Sequence, residues 1–142
     1  MKPINEVYPE HAKDEAEGDY FYGPGSYQPL LESFGYDIVL QVDDDDYQGD
    51  SRLIFKDDSR YGLLIFGWGS CSGCDSLQAC DSMKEIEQLR ADIHNNIIWK
   101  DSAAELLEFT EKRDWETQYC WHEEETKKFV EQAKEYLKRQ CK

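Results

Sequence analysis

Three segments rich in apolar and β-branched residues follow one another with only four residues between neighbours: 36–42 (YDIVLQV), 47–55 (YQGDSRLIF) and 60–68 (RYGLLIFGW). Links that short cannot hold the crossover a parallel pair requires, so the three segments predict an antiparallel meander. The links are themselves turn formers, DDDD at 43–46 and KDDS at 56–59.

After residue 80 the period becomes helical. Ser82 with Glu85, and Ser102 with Glu105, have the spacing of a capping box, in which the serine hydroxyl and the glutamate carboxylate satisfy each other's orphaned backbone N–H groups. Behind the first box, Ile86, Leu89, Ile93 and Ile97 share one face; behind the second, Leu106, Leu107 and Thr110 do. Residues 97–99 (IIW) and 115–121 (WETQYCW) read as short extra strands. Residues 123–140 read as a last helix, with Phe129, Val130, Ala133, Tyr136 and Leu137 inward, acids in its first turn and Lys138 and Arg139 in its last. The expected fold class is α+β: a β-meander of about three strands, then two to three helices with one or two extra short strands.

At 142 residues the chain has the length of one domain. We expect residues 36–142 to form it and residues 1–35 to be an acidic, irregular arm with one helical turn near residues 30–34. The aromatics Tyr8, Tyr20, Phe21, Tyr22 and Tyr27 of that arm argue that it packs on something rather than staying disordered.

The net charge of −15 is concentrated early, with thirteen acids against two lysines in residues 1–50. Such a surface repels phosphate, so direct nucleic-acid binding is not expected, and a basic protein surface is the complementary partner. Acidity that serves solubility alone is the plainer reading. The densest charge is Asp43, Asp44, Asp45 and Asp46 with Asp50, a knob suited to a basic groove. The same stretch places Gly49 sixth in a calcium-type loop, yet Phe55 stands where a bidentate Glu is needed, so an acidic turn between strands is the better reading. No apolar run approaches a membrane span and no signal pattern opens the chain, which predicts a cytoplasmic protein without a membrane partner.

Five cysteines in a reducing compartment predict free thiols or metal ligands rather than a bridge framework. Cys71 and Cys74 have the spacing of half a zinc knuckle, and Cys80, Cys120 and His122 could complete a tetrahedral set, although the second half-site is not paired. With no cofactor as the leading expectation, zinc is the chemical alternative, and small thiols filling a tight turn are the plainer one. A redox role for the CxxC lacks the usual βαβ setting. Glycines at 67, 69 and 73 match neither phosphate-binding fingerprint. Ser70, Cys71 or Cys74 could be paired with His94 or His122 as nucleophile and base, an arrangement easily met by chance. Trp68, Trp99, Trp115, Trp121 and Tyr119 read as core or, if exposed, as interface anchors.

The strings YQGD at 47–50 and GWGSCSGCDSL at 67–77, with residues 114–122 from Asp114-Trp115 to Trp121-His122, resemble a group of small uncharacterised proteins found mainly in bacteriophages and their hosts. That group has no assigned activity. The resemblance implies a context in which small acidic proteins bind host machinery, defence nucleases included, as steric blockers or nucleic-acid mimics. The combined expectation is a non-enzymatic acidic binding protein, with a zinc-binding cysteine cluster as the alternative and a Cys-dependent enzyme as the remaining one.

Overall fold

The computed structural model describes residues 1–115 and 122–141. A four-stranded antiparallel sheet, β1 (Asp37–Asp43), β2 (Gly49–Asp57), β3 (Arg60–Trp68) and β4 (Ile98–Lys100), runs in the order β1-β2-β3-β4. With helices α1 (Ile4–Val7), α2 (Pro9–Ala16), α3 (Gln28–Glu32), α4 (Met83–Asn95), α5 (Ala103–Lys112) and α6 (Glu123–Gln140), this is the expected α+β class built on a meander. The strand candidate at 115–121 falls almost wholly outside the described residues.

The chain divides into two compact units, Met1–Gly35 with Trp68–Asn96, and Tyr36–Gly67 with Ile97–Lys142. That division differs from an arm followed by one domain: the first 35 residues form a unit with the cysteine loop and α4.

In the first unit α1 and α2 pack on α4. Arg90 on α4 is buried and donates through Nη1 to the Lys2 carbonyl at 2.5 Å and to Ser33 Oγ at 3.2 Å. Met83 N–H donates to Glu15 Oε2 at 2.8 Å, and Phe34 meets His94 edge-on at 5.1 Å. Ile4, Val7, Leu30, Leu31, Phe34, Leu77, Ile86 and Ile93 are among its buried apolar side chains. Helix α2 was not foreseen because it has no apolar stripe to announce it; none of its residues is buried.

In the second unit β2 and β3 are joined by Asp58 and Ser59, with Asp58 at φ 58°, the left-handed conformation that a two-residue hairpin needs and Asp tolerates. Strand β2 thus runs two residues further, into KDDS, than the sequence pattern predicts, and β3 begins at Arg60 as read. Between β3 and β4, Gly62 faces Trp99, and a Cβ there would lie 2.6 Å from Ile97 Cγ2, so only glycine lets the edge strand close. One face of the sheet supplies Val42, Ile54, Tyr61 and Leu63 to a core completed by Ala103 and Leu106 of α5 and Phe129, Ala133 and Leu137 of α6. Each of the large apolar side chains contributes about 1.5–3 kcal/mol on burial.

Candidate functional site

The β1–β2 turn is organised by one of its own aspartates. Asp44 is buried; its Oδ1 accepts from Arg52 Nη1 at 2.7 Å and its Oδ2 from the Asp50 N–H at 2.7 Å, while its own N–H donates to the Asp50 carbonyl at 3.0 Å. Gly49 is required beside it, because a Cβ would sit 2.6 Å from Asp44 Cβ. Arg52 is wholly buried and, among the described residues, its Nε and Nη2 have no hydrogen-bond partner, so its ion pair with Asp44 is a main compensation of the guanidinium charge.

The five aspartates grouped by sequence therefore separate into three kinds. Asp43, Asp45 and Asp46 are exposed, with Tyr47 beside them 82% exposed. Asp44 is an internal peg rather than part of an outer face. Asp50 is half-buried, and its carboxyl is pushed up chiefly by desolvation, with Asp44 adding to the rise and Arg52 and His122 opposing it. Asp46 Oδ1 accepts the Tyr47 N–H at 2.7 Å, and Gln41 Nε2 donates to Asp43 Oδ1 at 3.1 Å. Strands rather than helices flank the turn, as expected of an acidic turn and not of a calcium loop.

His122 caps the start of α6 with φ 60°, and its Nε2 lies 3.7 Å from Asp44 Oδ2 and 3.8 Å from Asp46 Oδ2. Among the described residues, Asp44, His122 and Glu125 form the group whose ligand atoms converge, all within 4.8 Å of one another. The cysteines form no such group there.

The loop between β3 and α4 is organised by Asp75, which is 3% exposed. Its Oδ1 accepts from Tyr27 OH at 2.8 Å and from the Gly69 N–H at 3.1 Å, its Oδ2 from the Gln78 N–H at 3.0 Å. The Tyr27 hydroxyl also accepts the Leu77 N–H at 3.2 Å, and burial, followed by Asp75, raises its pKa. Their pairing was not legible in the sequence, since nothing local links positions 48 apart.

Cys71 and Cys74 are exposed, with their sulfurs side by side in a disulfide-like pair and their Cα atoms 5.3 Å apart. Cys80 is a buried free thiol that donates to the Ser76 carbonyl at 3.3 Å; burial first, then Glu85, Asp75 and Asp81, push it up to about 11. Cys141 is an exposed free thiol, and Cys120 lies outside the described residues with Tyr119 and Trp121. Of the proposed nucleophile–base pairings, His94 packs on Phe34 and His122 faces Asp44 and Asp46. Trp99 stacks under Arg60 at 3.9 Å, and Trp115 donates to the Thr110 carbonyl at 3.0 Å and packs on Phe129, so both act in the second unit's own framework.

No helix among the described residues is long and apolar enough to cross a membrane. No protein-family model, curated protein or solved structure matches this chain.

Proposed function

We propose that this chain is a non-enzymatic binding protein that engages a basic protein surface through the outer side of its β1–β2 turn. The observation that supports this is the buried Asp44–Arg52 pair, which fixes the turn from inside while Asp43, Asp45, Asp46 and Tyr47 stay exposed. A rigid display of three carboxylates needs little ordering on binding, and an exposed tyrosine beside them supplies an apolar anchor. The net charge of −15 steers association with a cationic partner.

The surface most complementary to such a turn is one that handles nucleic acid, whose groove is lined by lysine and arginine. The resemblance to small phage-type proteins fits an inhibitor acting by occlusion of that groove. Capture from a bacterial lysate with the wild-type chain and with a D43N/D45N/D46N variant tests the reading. Basic proteins retained by the wild type at low salt and lost by the variant are expected; equal retention by both removes the acidic turn as the binding surface.

A further inference from the structure

The first unit carries a second surface feature, distinct from the acidic turn: a cleft walled by aromatic rings and a carboxylate. Among the described residues four large apolar side chains stand exposed, Met1, Tyr20, Tyr22 and Tyr47, and two of them meet at one place. Tyr20 and Tyr22, 75% and 71% exposed, have ring centroids 4.4 Å apart and line a cleft of about 490 Å³. Phe21, Gly23, Ser72, Gln78 and Asp81 line it with them. The segment bearing the two rings is anchored. Phe21 meets the His11 ring at 6.1 Å, and Gly23 sits so close to the Leu77 and Gln78 carbonyls that a Cβ would overlap them. Rings left in water by an anchored segment lose little freedom when a partner covers them.

The cleft is anionic. Asp81 is the one charged side chain among the described residues that line it, and its carboxylate has no partner among them. Gln78 spends its Nε2 on the Gly69 carbonyl at 3.2 Å, which leaves its Oε1 as an acceptor on the same wall. Past Ala79 and Cys80, which both share, a second recess of about 250 Å³ adds Glu85 and Asp92 with Leu89. No lysine or arginine lines either recess among the described residues. The Cys80 thiol between them registers the same field: burial first, then Glu85, Asp75 and Asp81, push it up to about 11. Across the whole unit twelve carboxylates stand against four basic side chains, and one of those four, Arg90, is buried on the Lys2 carbonyl and Ser33.

We propose that this cleft binds an extended, arginine-bearing segment of a partner protein. A guanidinium laid over the Tyr20–Tyr22 pair gains cation–π attraction on its flat face while its edge donates to Asp81 and to Gln78 Oε1. A planar cation with donors in its own plane meets both demands at once; an ammonium meets one at a time. The continuation past Ala79 and Cys80 offers Glu85 and Asp92 to a second basic residue, which suits a chain running along the groove. An acidic or phosphorylated segment is repelled by the same carboxylates, and a purely apolar one would cover Asp81 without giving it a partner. None of these residues belongs to the β1–β2 turn, so each surface can be removed without touching the other.

Titration of the isotope-labelled wild-type chain with the end-blocked peptide Gly-Arg-Gly-Arg-Gly, followed by amide NMR and calorimetry, tests this. Saturable shifts are expected at residues 20–23, 72 and 78–81, and the D43N/D45N/D46N variant should keep them. Y20A/Y22A should bind the peptide about tenfold more weakly, while Y20F/Y22F, which keeps both rings, binds as the wild type does; that contrast separates stacking from loss of fold. Asp81→Asn should weaken binding as well. The matching lysine peptide, equal in charge, should bind at least about threefold more weakly, and the citrulline peptide, equal in shape but neutral, should not bind. Absence of saturable shifts, shifts confined to residues 43–47, equal affinity for the lysine or citrulline peptide, or a Y20A/Y22A variant that binds as the wild type does overturns the proposal.

Discussion

Asp44 and its neighbours Asp43, Asp45 and Asp46 are chemically identical, and the structure gives one of them the opposite role from the other three. Four consecutive aspartates read as a uniform charged knob because nothing local distinguishes them; the distinction comes from Arg52, eight residues on in β2 and wholly buried. Removing one partner of such a pair strands a charge in the interior. Asp44→Ala is therefore expected to lower stability by about 3–5 kcal/mol, whereas Asp45→Ala stays within about 0.5 kcal/mol, measured by urea denaturation. Asp50 makes the opposite case. Its folded-state pKa is raised above the ordinary 3.8, chiefly by desolvation, so its contribution is fully present below that value and is lost as pH rises through the folded pKa. Asp50→Asn should consequently raise the melting temperature at pH 7 relative to the wild type, and the gain should vanish on acidification below the carboxylate range.

At the scale of elements, what was legible was what is encoded locally. Both serine caps form as read, Ser82 Oγ accepting the Glu85 N–H and Ser102 Oγ the Glu105 N–H, each at 3.2 Å, whereas the two glutamates reach one residue past the serines and accept the Asp81 and Asp101 N–H groups. Ser82→Ala and Ser102→Ala should each cost about 1 kcal/mol by thermal denaturation. The last helix was equally legible, because Phe129, Ala133 and Leu137 repeat at helical spacing and all are buried. The loop at 67–80 was recognisable as a strand-to-helix connection, but its organiser was not. Asp75 takes that role through Tyr27, which is brought to it from 48 residues upstream. Helices α1 and α2 were hidden for a related reason: each is too short, or too polar, to show a period.

That first unit also concentrates the groups that resist ionisation. Cys80 is raised from 9.0 to about 11, and Tyr8 and Tyr27 are raised from 10.0, in each case first by burial. A raised folded pKa means stability held below the unfolded value and lost as pH climbs towards the folded one. The midpoint of urea denaturation is expected to be flat from neutral pH to about 9 and to fall beyond it, and Cys80→Ala should make the decline between about 9 and 11 shallower.

For the whole molecule, the charge of −15 is the property that sequence alone establishes and that every candidate partner must answer to. Its useful part is narrower than the total, since Asp44 is spent inside and Asp50 is half-covered, leaving Asp43, Asp45 and Asp46 with Tyr47 as the presented group. The most direct measurement of the central claim is the affinity for a captured basic partner, in competition with double-stranded DNA, at about 0.1 M and 1 M salt, where the Debye length shortens from about 10 to 3 Å. The wild type should displace DNA at the lower salt and lose at least about tenfold in affinity at the higher, while D43N/D45N/D46N is weak at both. Binding that ignores salt, or a triple variant that binds as the wild type does, would contradict it.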